Sequence, residues 1–367
     1  MATTLDYTPM YLAGTQGIGA FGLKLEEDGG LVADARMTVG YGRRSLEAIA
    51  LQLPLAQALN YMDRLDYLAA PAFNFALASA CEDLLRIEIS ARSEQIRLIL
   101  LELNRIASHL HYYGNLARAA GQAAIMNHCL RERERFADIF EMYCGSRLGF
   151  GSICLGGVIS DATDGWFFKI EKAVASLREF LPDLESSLLT HPFFEKRTRG
   201  LGQLDAAMVK NWNITGPNAR ASGLADCDLR VSRPYGAYRG TEMMLDTSRN
   251  YLGDAFDRAH IRKREILQSA QLIESVFRHI PSGNHRIRVG LDVRPAPGKA
   301  VCGVEGPRGA IYAMVESDGR SQPSQVSFFC PSAMAVQVLP RLLRGIHAED
   351  AFLVIHSLDI SFSEVDK

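Results

Sequence analysis

Neither a disulfide framework nor a cysteine metal site can be read from this chain. Its seven cysteines (Cys81, Cys129, Cys144, Cys154, Cys227, Cys302 and Cys330) are scattered, odd in number and never in a Cys-x-x-Cys pair, which leaves reduced thiols as the expectation. An excess of one charge is also missing. Forty lysines and arginines stand against 42 aspartates and glutamates, a formal net charge of −2, so the basic surplus that phosphate binding needs is absent and nucleic acid is excluded as the main partner. Long apolar runs are lacking too: 98–101 is among the longest, far short of a bilayer span, and no signal-peptide pattern is expected at the start. Such a chain works at a membrane only by sitting on something else that spans it. The common catalytic strings are missing as well. There is no Walker loop, His-Glu-x-x-His or Gly-x-Ser-x-Gly element, and Gly14-x-x-Gly17-x-Gly19 lacks the flanking strand and helix of a dinucleotide site. No internal repeat or low-complexity segment occurs.

What is present is enough apolar sequence, 47% of 367 residues, for two domains or one large domain with appendages. The stretch 96–158 organises the rest. Ile96, Ile99, Leu100, Leu103, Ile106, Ala107 and Leu110 recur at helical spacing opposite Glu94, Gln95, Glu102, Arg105 and Ser108, which predicts an amphipathic helix. A second helix carries Met126, Cys129, Leu130, Phe136, Ala137, Phe140 and Cys144, with Arg133 falling in its apolar stripe inside Arg131-Glu132-Arg133-Glu134-Arg135. A guanidinium there must find partners or water. The run reads equally as a solvated helix face laced by i,i+4 pairs. His109 and His111, two residues apart, cannot share a ligand on one helix face.

In chain order, short apolar pieces around Asp28-Gly29-Gly30 predict a β-hairpin over 17–41. Helices are expected over 45–62 and 71–85, joined by the charged linker Asp63-Arg64-Leu65-Asp66-Tyr67-Leu68. Further helix is expected over 166–181 and on to 189, with Pro182 marking a break or a first turn. Periodicity dissolves over 200–240, as in a functional or mobile loop. Asp254 reads as the N-cap of a long helix ending at Pro281-Ser282-Gly283. A β-meander is expected over 302–329, turning at Gly306-Pro307-Arg308-Gly309 and Asp318-Gly319-Arg320, followed by a short helix near Leu339 and a strand or helical turn over 351–357. The fold class is therefore α+β, mainly helical: an N-terminal β layer (1–44), a helical core (45–300) and a C-terminal β-meander and tail (301–367).

Several of these strings occur together in one known family. Leu103-Asn104-Arg105-Ile106-Ala107-Ser108-His109-Leu110, Leu130-Arg131-Glu132-Arg133-Glu134 and Gly156-Gly157-Val158 resemble the core of the D-type large subunit of complex I, the NADH:quinone oxidoreductase. Arg64-Leu65-Asp66-Tyr67, Thr215-Gly216-Pro217 through Gly223, Ser317-Asp318-Gly319 and Ser357-Leu358-Asp359 through Asp366 follow in the same order, so the resemblance runs nearly end to end. That family shares its fold with the large subunits of membrane-bound nickel–iron hydrogenases, to which Glu305-Gly306-Pro307-Arg308-Gly309 is also similar.

The resemblance implies a peripheral subunit on the cytoplasmic or matrix-equivalent face of an energy-converting membrane. Its expected partners are a small iron–sulfur subunit holding a 4Fe–4S cluster, other hydrophilic subunits and a membrane heel subunit. Quinone is the implied substrate, with no cofactor bound by this chain. The implied site comprises Tyr67 as the catalytic group, Gln16 and Arg64 beside it at the quinone, and Arg105, Arg131 and Arg133 as coupling charges.

Departures from the family pattern matter. Hydrogenase large subunits hold nickel with two cysteine pairs. Around 66–69 and 361–364 this chain has none, so no nickel–iron centre is expected. Gln16 and Ala119 stand where quinone-reactive relatives carry a histidine and its aspartate partner, and Gln325, Ser327 and Phe329 replace basic side chains after Pro323. Glutamine can donate a hydrogen bond but cannot deliver a proton as an imidazolium can. Proton delivery is then expected to be slow or rerouted through Asp66 or His128. The rival expectations are a structural coupling subunit that has lost quinone chemistry, and a free-standing ligand-binding protein.

Overall fold

The computed structural model describes residues 3–10, 20–243 and 252–367. It opens with three antiparallel strands, β1 (Thr3–Met10), β2 (Phe21–Asp28) and β3 (Leu31–Thr38), in the order β1-β2-β3. Phe21, Leu23 and Leu25 alternate inward along β2, and Gly29 and Gly30, both at positive φ, close the turn to β3. The expected single helix over 45–62 is two, α1 (Leu46–Ala50) and α2 (Leu55–Met62). Pro54 divides them: it caps α2 in an extended conformation and biases the residue before it away from helix.

After α3 (Ala70–Leu85) come the two helices at the centre of the fold, α4 (Ala91–Ala119) and α5 (Ala123–Cys144). The Ser90 side chain caps α4, and Gly145 at positive φ ends α5. The α4 helix is about 44 Å long at 1.5 Å per residue. The polar face read from its sequence is not a solvent face. Glu102, Arg105 and Ser108 are as buried as the apolar face: α11 (Ala255–Phe277) and Tyr238 cover Glu102, the Glu305 and Gly306 carbonyl oxygens cover Arg105, and Ser108 faces α5.

A two-residue hairpin, β4 (Ile153–Cys154) and β5 (Gly157–Val158), precedes α6 (Asp164–Leu184). Helix continues through Pro182 instead of breaking there: the proline sits in the last turn, where it costs one backbone bond, and the ladder then widens into a π-turn at Glu185–Leu189. After α7 (Pro192–Thr198), the segment 200–240 is not an irregular loop but a run of short helices with a buried centre around 214–222 and 228–230. It forms α8 (Ala206–Asn211), α9 (Gly216–Ala221), α10 (Leu229–Ser232) and a 3-10 turn at Gly236–Gly240. Helices of four to six residues are too short to show periodicity, and buried ion pairs of Arg220, Asp228 and Arg230 hold α9 and α10 in place.

Asp254 caps α11 through the Asp257 amide (2.8 Å). The C-terminal sheet has the order β6-β7-β8, built from β6 (Gly298–Gly306), β7 (Gly309–Ser317) and β8 (Gln325–Phe329). It lies against α3. The chain ends in α12 (Pro331–Leu342), α13 (Ala351–Leu358) and α14 (Phe362–Val365). Over half of the chain is thus helical around small sheets, the expected mainly helical α+β class. No helix among the described residues is long and apolar enough to cross a membrane.

Candidate functional site

The linker between α2 and α3 carries the charged string read from the sequence, and burial fixes it. Asp63 is fully buried; it pairs with Arg64 and accepts hydrogen bonds from the Gly151 amide (2.9 Å) and Asn74 Nδ2 (3.3 Å). Burial raises its pKa in spite of Arg64. These bonds tie the linker to the glycine-rich stretch after α5, and in consequence Phe150 lies between Arg64 and Tyr67. The Arg64 guanidinium sits 4.0 Å from the Phe150 ring centre, and Tyr67 meets the same ring edge-on at 5.7 Å.

Tyr67 is half-buried, and its phenol oxygen accepts a hydrogen bond from Arg44 Nη1 at 2.9 Å. Because that oxygen is occupied as an acceptor by a cation, the phenol's own proton is the one free to be given away. Arg44 is a site residue that sequence reasoning misses. Nothing in Gly42-Arg43-Arg44-Ser45 marks it, and only the tertiary fold, in which Arg44 reaches both the Tyr67 oxygen and the Ser363 carbonyl, brings it to the site.

Tyr67 and Leu68 form one wall of a narrow crevice whose other walls are Asn104, Ala107 and Ser108 of α4, Arg133 and Phe140 of α5, and Arg147 and Leu148. Along α4, Asn104, Ser108, His111 and Asn115 stand at i, i+4, i+7 and i+11, one helix face. Each keeps a buried polar atom without a partner among the described residues: Asn104 Oδ1, Ser108 Oγ, both His111 ring nitrogens and Asn115 Nδ2. Ala119, where the family pattern leads one to expect an aspartate, falls at the end of this stripe. Burial, helped by Arg133, Arg308 and His356, pushes the His111 pKa down to about 3 and keeps the ring neutral. Arg133 bonds Glu134 (2.9 Å), its Nε is left unpartnered among the described residues, and burial lowers its pKa. Buried polar atoms without a protein partner are the places where ordered water or a bound group completes the hydrogen bonding.

Arg105 lies elsewhere. It is held by Glu102 (3.1 Å) and donates to the Gly306 and Glu305 carbonyl oxygens at 2.8 and 2.7 Å. Glu102 also accepts from Ser269 Oγ (2.5 Å), Tyr238 Oη (2.5 Å) and Arg230 (3.3 Å). Arg230 pairs with Asp228 (2.8 Å), and Arg220 with Asp228 (2.9 Å), Glu265 (2.7 Å) and Glu305 (2.8 Å). His109 closes the lattice on Glu265 at 2.9 Å. Burial opposes ionisation of Glu102, yet Arg105 and Arg230 overcome it and hold the carboxyl down at about 2. Burial dominates for His109, which drops to about 4.

Of the residues read from the sequence, the structure brings together Tyr67, Arg64 and Arg133, and puts Arg105 in the buried lattice. Arg131 and His128 are exposed on α5. Asp66 is buried and paired with Arg308. Gln16 lies outside the described residues.

A family model described as the 49 Kd subunit of respiratory-chain NADH dehydrogenase matches residues 119–290 and 285–367. The chain is similar to the proteins named as D subunits of NADH-quinone oxidoreductase in Bacillus thuringiensis, Bacillus cereus and Bacillus mycoides. Each is 33% identical over 349 residues, which cover 95% of this chain and 94% of the relative. Both the helical core and the C-terminal sheet fall within these matches, and the chain therefore belongs to the family of D-type, 49 Kd subunits of complex I, the respiratory-chain NADH dehydrogenase.

Proposed function

We propose that this chain forms a wall of the quinone site of a complex I-type NADH:quinone oxidoreductase and donates a proton there from Tyr67. The observation that carries this reading is the Arg44–Tyr67 hydrogen bond at the mouth of the crevice. It fixes the phenol, occupies its oxygen as an acceptor and leaves its proton for a substrate carbonyl. The name its relatives bear, that of an NADH-quinone oxidoreductase component, supports quinone as that substrate.

Reduction of a quinone to a quinol takes two electrons and two protons. In this reading a small iron–sulfur subunit seated on the crevice supplies the electrons from its 4Fe–4S cluster, and this chain supplies a proton. A phenol hydrogen bond polarises the quinone carbonyl; as charge develops on that oxygen, the Tyr67 proton moves to it and Arg44 stabilises the phenolate left behind. Arg64 holds the site's shape through Phe150. Asn104 and Ser108, with free polar atoms, are suited to orient the ring or the water around it. Arg133 contributes positive potential, which favours the reduced, anionic form of the substrate. The assembly is proposed to sit on the cytoplasmic or matrix-equivalent face, this chain resting on a membrane heel subunit and coupling electron transfer to ion movement.

The test is quinone reduction by the purified assembly carrying Tyr67→Phe. Loss of the rate with the assembly intact supports the site, whereas robust activity indifferent to that change overturns it.

A further inference from the structure

The turn Gly306-Pro307-Arg308-Gly309 carries Arg308 out of the lattice that contains Glu305 and into a second buried cluster. Its path is fixed by close backbone approach: a β-carbon on Gly216 would meet the Arg308 carbonyl oxygen at 2.3 Å, and both Gly216 and Gly309 take positive φ. Arg308 pairs with Asp66, and its Nε lies 3.7 Å from Asp359 Oδ2. Glu364 is buried beside them and accepts from the Ser332 amide at 2.8 Å, at the start of α12. One guanidinium thus faces three carboxyl groups.

Among the described residues, no other cation makes up the whole difference. Arg262 Nε, 4.0 Å from Asp359 Oδ2, is a second cation at the edge of the cluster, which leaves two guanidiniums against three carboxyl groups; its other nitrogens bond the Arg258 carbonyl and Asn218, and it lies over the Tyr112 ring. Arg258 is turned to the Gly202 and Gly253 carbonyl oxygens and the Ser357 hydroxyl. Lys367 is taken by Glu47 (3.1 Å), and the Asp366 carboxylate by the Gly40 and Gly42 amides. The other titratable neighbours are neutral near neutral pH: burial pushes the Cys330 thiol, two residues before Ser332, far up, raises Tyr112 to about 12 and lowers His111 to about 3. Three ionised carboxylates in this space would leave buried charge uncompensated, so one of them keeps a proton.

This cluster adjoins the phenol. Asp66 precedes Tyr67, and Arg44, bonded to the Tyr67 oxygen, also reaches the Ser363 carbonyl at 3.5 Å, one residue before Glu364. We propose that Glu364 holds the proton that restores Tyr67 after the phenol has given its own to substrate, taking the part of the histidine and aspartate this chain lacks. The step balances when it runs twice, one proton with each electron: the Tyr67 O–H bond breaks as the proton joins a quinone oxygen, the Glu364 O–H bond breaks as a proton returns to the phenolate, the Glu364 carboxylate is reloaded from solvent, and the second turn protonates the second oxygen of the quinol. The two electrons come from the iron–sulfur subunit. Burial and Asp66, against Arg308, push the Glu364 pKa up to about 7, which suits a group that must both hold and release a proton near neutrality. The inference rests on Tyr67 being the quinone's proton donor.

The test is the pH profile of kcat for quinone reduction by the purified assembly, with a short-chain quinone as probe. In the natural protein kcat falls as pH rises through about 7, where Glu364 loses its proton. Glu364→Gln lowers kcat on the order of 10²-fold and removes that limb, and Glu364→Asp restores part of the rate together with the limb. Asp66→Asn moves the limb to lower pH, because it removes the negative charge that favours the protonated form and frees Arg308; this variant decides the matter if Glu364→Gln does not assemble. A limb unmoved by Glu364→Gln, or by Asp66→Asn, overturns the proton-holding role. If Tyr67→Phe is silent while Glu364→Gln acts, the Tyr67 reading fails instead.

Discussion

Two buried charge clusters lie on either side of the turn at Gly306-Pro307-Arg308-Gly309, and they are built differently. Around Glu102, Arg220 and Arg230, nearly every oxygen and guanidinium nitrogen has a partner, and Arg220 Nη2 and His109 Nδ1 are the loose ends among the described residues. Around Arg308, by contrast, Arg308 Nε and Nη2, Arg262 Nε and both Asp359 oxygens lack hydrogen-bond partners among the described residues. A satisfied lattice specifies one packing of α4, α9, α10, α11 and β6; an unsatisfied one keeps energy available for a change of charge. The first cluster is therefore assigned to the fold. The second, next to Tyr67, is the one the proposed proton transfer draws on.

The sharpest way to break that contrast is to remove a cation from the satisfied side. Arg220→Met leaves Glu265, Asp228 and Glu305 without their shared partner and is expected to cost about 3–5 kcal/mol of stability, as breaking a buried ion pair does. Urea denaturation measures it, and a loss under about 1 kcal/mol contradicts the structural role. Tyr67→Phe tests the other side. It should lower quinone reduction about 10²–10⁴-fold while leaving the urea midpoint where it was, since it deletes a hydroxyl from a half-open crevice.

Restoring the family's expected pair sharpens the comparison further. Gln16→His with Ala119→Asp should raise quinone reduction by about tenfold, below the full worth of a general acid if Glu364 serves as proposed. A drop in rate would show that the present arrangement is incompatible with that pair.

The satisfied cluster has a pH signature of its own. Burial and Asp228, against Arg220, push Glu305 up to about 7 from its ordinary 4.5, so the folded state binds that proton more tightly than the unfolded one. Its stabilising contribution is full below about 4.5 and is lost as pH rises through about 7. Glu305→Gln should flatten this part of the stability curve, read from urea midpoints at several pH values. The smallest effect is expected at Arg131, exposed on α5: Arg131→Ala should change stability by no more than about 0.5 kcal/mol, and any larger effect on activity in the assembly would mark it as a partner contact.

Sequence patterning reached most long elements because period and caps are local. The α4 stripe from Ile96 to Leu110, the Asp254 cap of α11 and the β6–β7 turn were all legible in this way. It failed where the determinants are distant in sequence. The segment 200–240 looks irregular because its short helices are held by partners as far away as Glu265 and Glu305. Arg44 was invisible for the same reason: its partner Tyr67 lies 23 residues on, beyond two helices.

Composition, the spacing of apolar residues and the ordered strings from Arg64 to Asp366 determined by themselves the mainly helical α+β class and the D-type family, because periodicity and motif order survive at 33% identity. They also assigned Glu102, Arg105 and Ser108 to a polar helix face. Only the tertiary structure decided that this face is interior, which carboxyls share which guanidinium and which polar atoms are left free. The reason is electrostatic: a charged residue's state depends on burial and on neighbours within a few ångströms, and along this chain those neighbours are up to about 300 residues apart, as with Asp66 and Glu364.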